Sequence, residues 1–236
     1  GTLMLVGTNT TGVVNIYDAR IDLSGQFNSP SVGATLAVGR GTGGIGVLNM
    51  SNGAVVSITP QTSSGLLTVG GDSLAQGGTG TVTLTGGASI TFGGTVVGNN
   101  VNVGRNGTGT LSLSGSSAVD VGTTGTADFG RLSTGIGTLN LLSGSIFSAN
   151  QIDFGGNSDA VAGGVGTGTV SGLGSEIKAS GAGGFLSVGR NGTGTLTLTD
   201  QGKASAIVLA VGRYAGTGTL VADNATIEIS GQQAGI

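Results

Sequence analysis

The stretch VGRNGTGTL spans Val103–Leu111 and recurs, identical, as Val188–Leu196, 85 positions further on. A glycine-rich segment with one arginine and two threonines can be a loop that cradles an anion, or a corner in a repeated structural unit. The sequence around it decides between them. The glycine after the leading valine returns as Gly7, Gly39, Gly70, Gly104, Gly130, Gly155, Gly189 and Gly212, each preceded by an apolar residue: Val6, Val38, Val69, Val103, Phe129, Phe154, Val188 and Val211. These eight units average about 29 residues, a period typical of solenoids.

Each unit holds three short stretches in which apolar residues alternate with others. The first ends at the glycine, as in Leu36–Gly39 and Leu186–Gly189. The second follows the glycine cluster, with Leu111/Leu113, Leu139/Leu141 and Leu196/Leu198. The third is seen in Ile90/Phe92, Val119/Val121, Ile177/Ala179 and Ile227/Ile229. Alternation over so few residues predicts strands with one face buried. The second stretch always starts seven or eight residues before the third, as from Val14 to Ile21 or Leu111 to Val119, whereas the step from the third to the next unit varies. One tight corner and one that accepts insertions predict a three-sided coil. The fold expected is all-β: a single parallel β-helix (β-solenoid) of about eight coils over residues 1–236, with Val6, Val38, Val69 and Val103 stacked in one column and Leu111, Leu139 and Leu196 in another.

Composition supports an aliphatic rod and removes much chemistry. Of 236 residues, 52 are glycine, 37% are hydrophobic and only 3% aromatic; 8% are charged, with net charge −3. Absence of histidine and cysteine excludes Ser-His-Asp and Cys-His catalysis, disulfides and the usual structural zinc site. No basic field invites nucleic acid, and no apolar run is long enough for a transmembrane helix. The segment GTGGIG at Gly41–Gly46 matches a dinucleotide fingerprint in letters only, because a strand rather than a helix is expected after it. The chain opens on the apolar GTLMLVG with no signal peptide, as a fragment of a longer surface protein would.

Three outward-facing features are candidates for binding. Arginine follows the anchor glycine at Arg40, Arg105, Arg131, Arg190 and Arg213, five of the six in the chain. They form either a column that binds acidic polysaccharide or sulfate, or side chains that lie over corner backbone and bond its carbonyls. Asp128 in ADFG and Asp153 in IDFG fall in the same outward slot of consecutive units, about 5 Å apart if stacked, with Asn102 below and Ser187 above. Two carboxylates so placed are expected as a solvated surface pair. They are also a candidate calcium site, or at that spacing a retaining glycosidase pair, although the surroundings are expected to lack aromatic rings for sugar stacking and no further acids or bases converge. Threonines at Thr81/Thr83/Thr85 and Thr195/Thr197/Thr199, continued by Thr110, Ser112 and Ser114, suggest a flat array of the kind that binds ice, interrupted by Asn140, Val221 and Asp223.

The units VGRNGTGTLSLSGSSAV (Val103–Val119), VGRGTGGIGVLNMSNGAVV (Val38–Val56) and VGRNGTGTLTLTDQGKA (Val188–Ala204) resemble the repeat associated with bacterial type V secretion (autotransporter) passengers and PEP-CTERM surface proteins, V-G-x-x-G-x-G-x-L-x-[ILV]-x-x-G-x-x-[VI]. The resemblance covers essentially the whole chain. Its third and sixth units depart from the pattern through insertions after Gly70 and Gly155. It implies a right-handed β-helical stalk at the cell surface or outside the cell, and offers no catalytic residue. The function expected is therefore non-enzymatic: a structural or adhesive module, without cofactor unless calcium, whose partners are a host or matrix polysaccharide or protein. The alternative is a subunit that associates with itself head to tail into an extracellular filament, because both ends leave apolar coils uncovered.

Overall fold

The computed structural model describes residues 2–5, 8–25, 33–61, 64–71, 77–93, 98–157 and 162–231. Among the described residues, twenty-four strands form three sheets of eight. The first sheet contains β1 (Thr2–Leu5), β4 (Thr35–Val38), β7 (Leu66–Val69), β10 (Asn100–Val103), β13 (Thr126–Phe129), β16 (Gln151–Phe154), β19 (Phe185–Val188) and β22 (Val208–Val211). The second contains β2 (Thr11–Tyr17), β5 (Ile45–Ser51), β8 (Thr79–Leu84), β11 (Thr108–Leu113), β14 (Ile136–Leu142), β17 (Val165–Ser171), β20 (Thr193–Thr199) and β23 (Thr217–Ala222). The third contains β3 (Arg20–Gly25), β6 (Val55–Pro60), β9 (Ser89–Phe92), β12 (Ala118–Asp120), β15 (Ile146–Ala149), β18 (Glu176–Ala179), β21 (Lys203–Ala206) and β24 (Thr226–Ile229).

Every third strand in sequence pairs in parallel with the one three before it, so three successive strands make one coil and the described residues make eight. This is the three-sided β-solenoid expected from the repeat. At ~4.8 Å per strand step, the eight coils make a stack about 34 Å from first to last strand.

The core is built of columns of like residues. In the first sheet Val38, Val69, Val103, Phe129, Phe154 and Val188 stand in register and are fully buried. Leu5 is the residue in register with Val38, so it takes the slot expected for Val6; Val6 and Gly7 lie outside the described residues. In the second sheet Leu48, Val82, Leu111, Leu139 and Leu196 line up, all buried. Burying each such side chain contributes roughly 1.5–3 kcal/mol. One member of that column is Gly168, between Leu139 and Leu196. The gap is filled from the adjacent sheet: a Cβ at Gly168 would lie 2.7 Å from Phe154 Cζ. Phe154 stacks on Phe129 (centroids 4.9 Å), which meets Phe147 edge-on at 5.6 Å. Rings at the anchor position thus compensate for a missing leucine.

The motif Val103–Leu111 is the corner between the first and second sheets. Gly104 has φ +67°, and a Cβ there would stand 2.0 Å from the carbonyl oxygen of Ile136 in the next coil. Gly109, five residues on, would put a Cβ 2.2 Å from Val69 O of the coil below. Gly189 and Gly194 repeat both constraints in the second copy, with gaps of 2.2 Å to Thr217 O and 2.6 Å to Phe154 O. Backbone from adjacent coils meets at this corner, which leaves no volume for a side chain. The motif is a strand end, a corner and a strand start. The corner between the second and third sheets takes only two to four residues. Both other corners accept insertions, one more than the spacing indicated, and residues 72–76 and 158–161 of the inserted stretches lie outside the described residues.

Candidate functional site

The outward positions of the first sheet are where sequence reasoning placed its site residues. Asp128 and Asp153 are in direct register, with Asn102 and Ser187 on either side. The expected surface pair is not solvated: Asp128 is 4% exposed and Asp153 0%. Thr68, Asn102 and Ser187 in the same column are buried too. Side chains from the corner arginines and from asparagines lie across this face and close it.

Asp128 sits three residues before Arg131, whose Nη1 lies 3.5 Å from Asp128 Oδ2 and donates to Asn102 Oδ1 at 3.3 Å. Asn157 Nδ2 donates to Asp128 Oδ2 at 3.4 Å. Asp153 belongs to the unit that has Gly156 where others carry arginine. It takes its counter-charge from the next coil: Arg190 Nη1 donates to both carboxylate oxygens at 3.1 and 3.0 Å, and Gln151 Nε2 donates to Oδ2 at 2.5 Å. Burial raises the Asp153 carboxyl above its ordinary value, opposed chiefly by the pull of Arg190 and the hydrogen bond from Gln151. The two carboxylates are therefore surrounded by donors, where a calcium ion needs further oxygen ligands. Among the described residues no group of three or more acidic, His or Cys side chains gathers to hold a metal. The expectation of a solvated pair is corrected accordingly.

The arginine column is not uniform. Arg131 and Arg190 bind side-chain oxygens on the sheet face, and Arg40 and Arg105 also have partners. Arg213 differs. Its guanidinium lies 5.0 Å from the centroid of Phe185 and 4.7 Å from that of Tyr214, and Arg190 lies 5.2 and 5.8 Å from the same two rings. Rings do therefore stand beside the carboxylate column, contrary to the expectation from sequence. They come from β19 and from the corner after β22, more than thirty residues from Asp153.

On the second sheet, Thr81, Thr110, Thr138, Thr167, Thr195 and Thr219 form one unbroken column across six coils. Beside it runs a mixed column in which Asn49 donates to Asn15 at 2.8 Å and Asn140 to Ser112 at 3.0 Å. Asn140 and Val221 interrupt only this second column.

These features define the class of the molecule, a parallel β-solenoid in which several outer charges are paired with one another. Compared with family models, curated proteins and solved structures, the chain matches none. Among the described residues no helix is long and apolar enough to cross a membrane.

Proposed function

We propose that this chain is a non-enzymatic structural module, a stiff stalk or contact surface in a secreted or surface-exposed bacterial protein of the autotransporter or PEP-CTERM type. The observation that carries the reading is the unbroken register of three sheets through eight coils, which favours a rod over a cleft. The internal pairing of Asp128 and Asp153 with arginine supports it, since neither carboxylate is free to act as nucleophile or base. The repeat resemblance supports the location. An antibody against the chain, applied to intact bacteria that express it, tests this: labelling without permeabilisation is expected, and labelling only after lysis would refute it.

A second reading is head-to-tail association of copies. The outermost described coils offer matching inward positions: Leu3 and Leu209, Gly12 and Gly218, Val14 and Leu220, Ile21 and Ile227. Gly212 keeps the anchor conformation (φ +68°), yet among the described residues the nearest non-neighbouring atom to a Cβ there is 3.7 Å away, against 1.9–2.4 Å at the six other described anchors. Electron microscopy at micromolar concentration distinguishes filaments from single short rods.

A further inference from the structure

The exposed Arg213 is the corner arginine that makes no hydrogen bond or ion pair among the described residues. Its guanidinium is nevertheless held in place, lying against both Phe185 and Tyr214. A planar cation on aromatic faces keeps its donor fork in the ring plane and free for a ligand. Behind it Asp153 is bound to Arg190 at 3.0 Å and also feels the charge of Arg213, so two guanidiniums share one carboxylate in a chain whose net charge is −3. Tyr214 is 63% exposed and adopts φ +57°, a left-handed conformation disfavoured for a bulky residue. Among the described residues, Phe129, Phe147 and Phe154 are fully buried and Phe92 nearly so, whereas Tyr214, like Tyr17, stands outside and Phe185 is half-buried. The buried hydroxyl of Ser187, two residues along the same strand face from Phe185, has no hydrogen-bond partner.

We propose that Arg213, Tyr214 and Phe185 form a binding site for a carboxylated sugar unit of an acidic polysaccharide. The guanidinium fork pairs with the uronate carboxylate in bidentate fashion. The exposed face of Tyr214 takes the flat C–H face of the pyranose. Thr217 and Thr219, exposed at the start of β23, offer hydroxyls to the sugar hydroxyls. Preorganisation of Arg213 between two rings lowers the ordering cost of binding. This places and specifies the contact-surface part of the reading above and rests on it. Its failure would leave the rod intact, because these side chains lie outside the stacked core.

Calorimetric titration with hexagalacturonate, its fully methyl-esterified counterpart and hexaglutamate tests the site. Wild type is expected to bind hexagalacturonate, with binding at least tenfold weaker for the methyl ester and for the peptide. Arg213→Gln and Tyr214→Asn should each weaken binding at least tenfold with an unchanged circular dichroism spectrum; asparagine tolerates the left-handed backbone. Arg20→Gln, an exposed arginine paired with Asp22, should leave affinity unaltered. No binding by wild type, equal binding of the peptide or ester, or an Arg213→Gln protein that binds as well as wild type would each overturn the proposal.

Discussion

Replacing Arg190 by methionine leaves Asp153 fully buried with Gln151 as its one remaining close donor. Removing one partner of a buried ion pair costs about 3–5 kcal/mol, roughly 10 °C of melting temperature for a chain of this size. The cost depends on charge, and burial already raises the Asp153 carboxyl with the arginine present. Without Arg190 it rises further. A carboxyl raised in the folded state contributes stability that is complete below the ordinary carboxylate range and is lost as pH rises through its folded value. Arg190→Met should therefore melt far below wild type at pH 7 and approach it near pH 3. The partner substitution is costly as well. Asp153→Asn leaves the buried Arg190 without its counter-charge and turns one accepting oxygen into an NH2 that faces the donors of Arg190 and Gln151, so about 3 kcal/mol is expected at pH 7. The double variant Asp153→Asn/Arg190→Met should recover most of the single loss at pH 7. Thermal melts followed by far-ultraviolet circular dichroism across this pH range measure all four proteins. A deficit of Arg190→Met that is equal at pH 3 and pH 7, or a double variant no more stable at pH 7 than Arg190→Met, would refute the reasoning.

Two further predictions concern packing. Gly104→Ala adds left-handed strain to a 2.0 Å approach to Ile136 O and should cost about 3 kcal/mol or more, whereas Gly212→Ala, the same motif position with open space above, should cost about 1 kcal/mol; equal losses in denaturant melts would refute the account of the corner. Phe154→Val and Gly168→Leu should each destabilise by about 2 kcal/mol, the first by cavity and the second by overpacking, while together they restore the common leucine column and approach wild type; strictly additive losses would contradict the compensation.

The fold was legible because its determinants are local and repeated: an apolar residue before each anchor glycine, a leucine pair after it, and a fixed spacing to the third strand. The stacked slot of Asp128 and Asp153 was equally legible, since register follows from aligning units. Its burial was not. Alternation assigns a side chain to the outer face of a sheet, but whether that face is dry depends on what folds over it. Here the cover is the arginine column itself, together with asparagines such as Asn157. Gly156 gave the available hint: a unit with an aspartate and no arginine of its own must borrow one from a neighbour. The Phe185–Arg213–Tyr214 cluster left no local signal, because it joins two coils at a corner and uses a tyrosine that belongs to no repeat position.

The chain contains no cysteine, so pairs of introduced cysteines can carry spin labels without background. Outward positions of the third sheet stand in one column, including Ser57, Thr91, Asp120, Ser148, Lys178, Ser205 and Glu228. Pulsed electron paramagnetic resonance on Ser57→Cys paired in turn with Ser148→Cys, Ser205→Cys and Glu228→Cys should give separations near 14, 24 and 29 Å, rising by about 4.8 Å per coil. Distances that fail to increase linearly along the column, or that place Ser57 and Glu228 close together, would contradict the stacked rod on which the whole account rests.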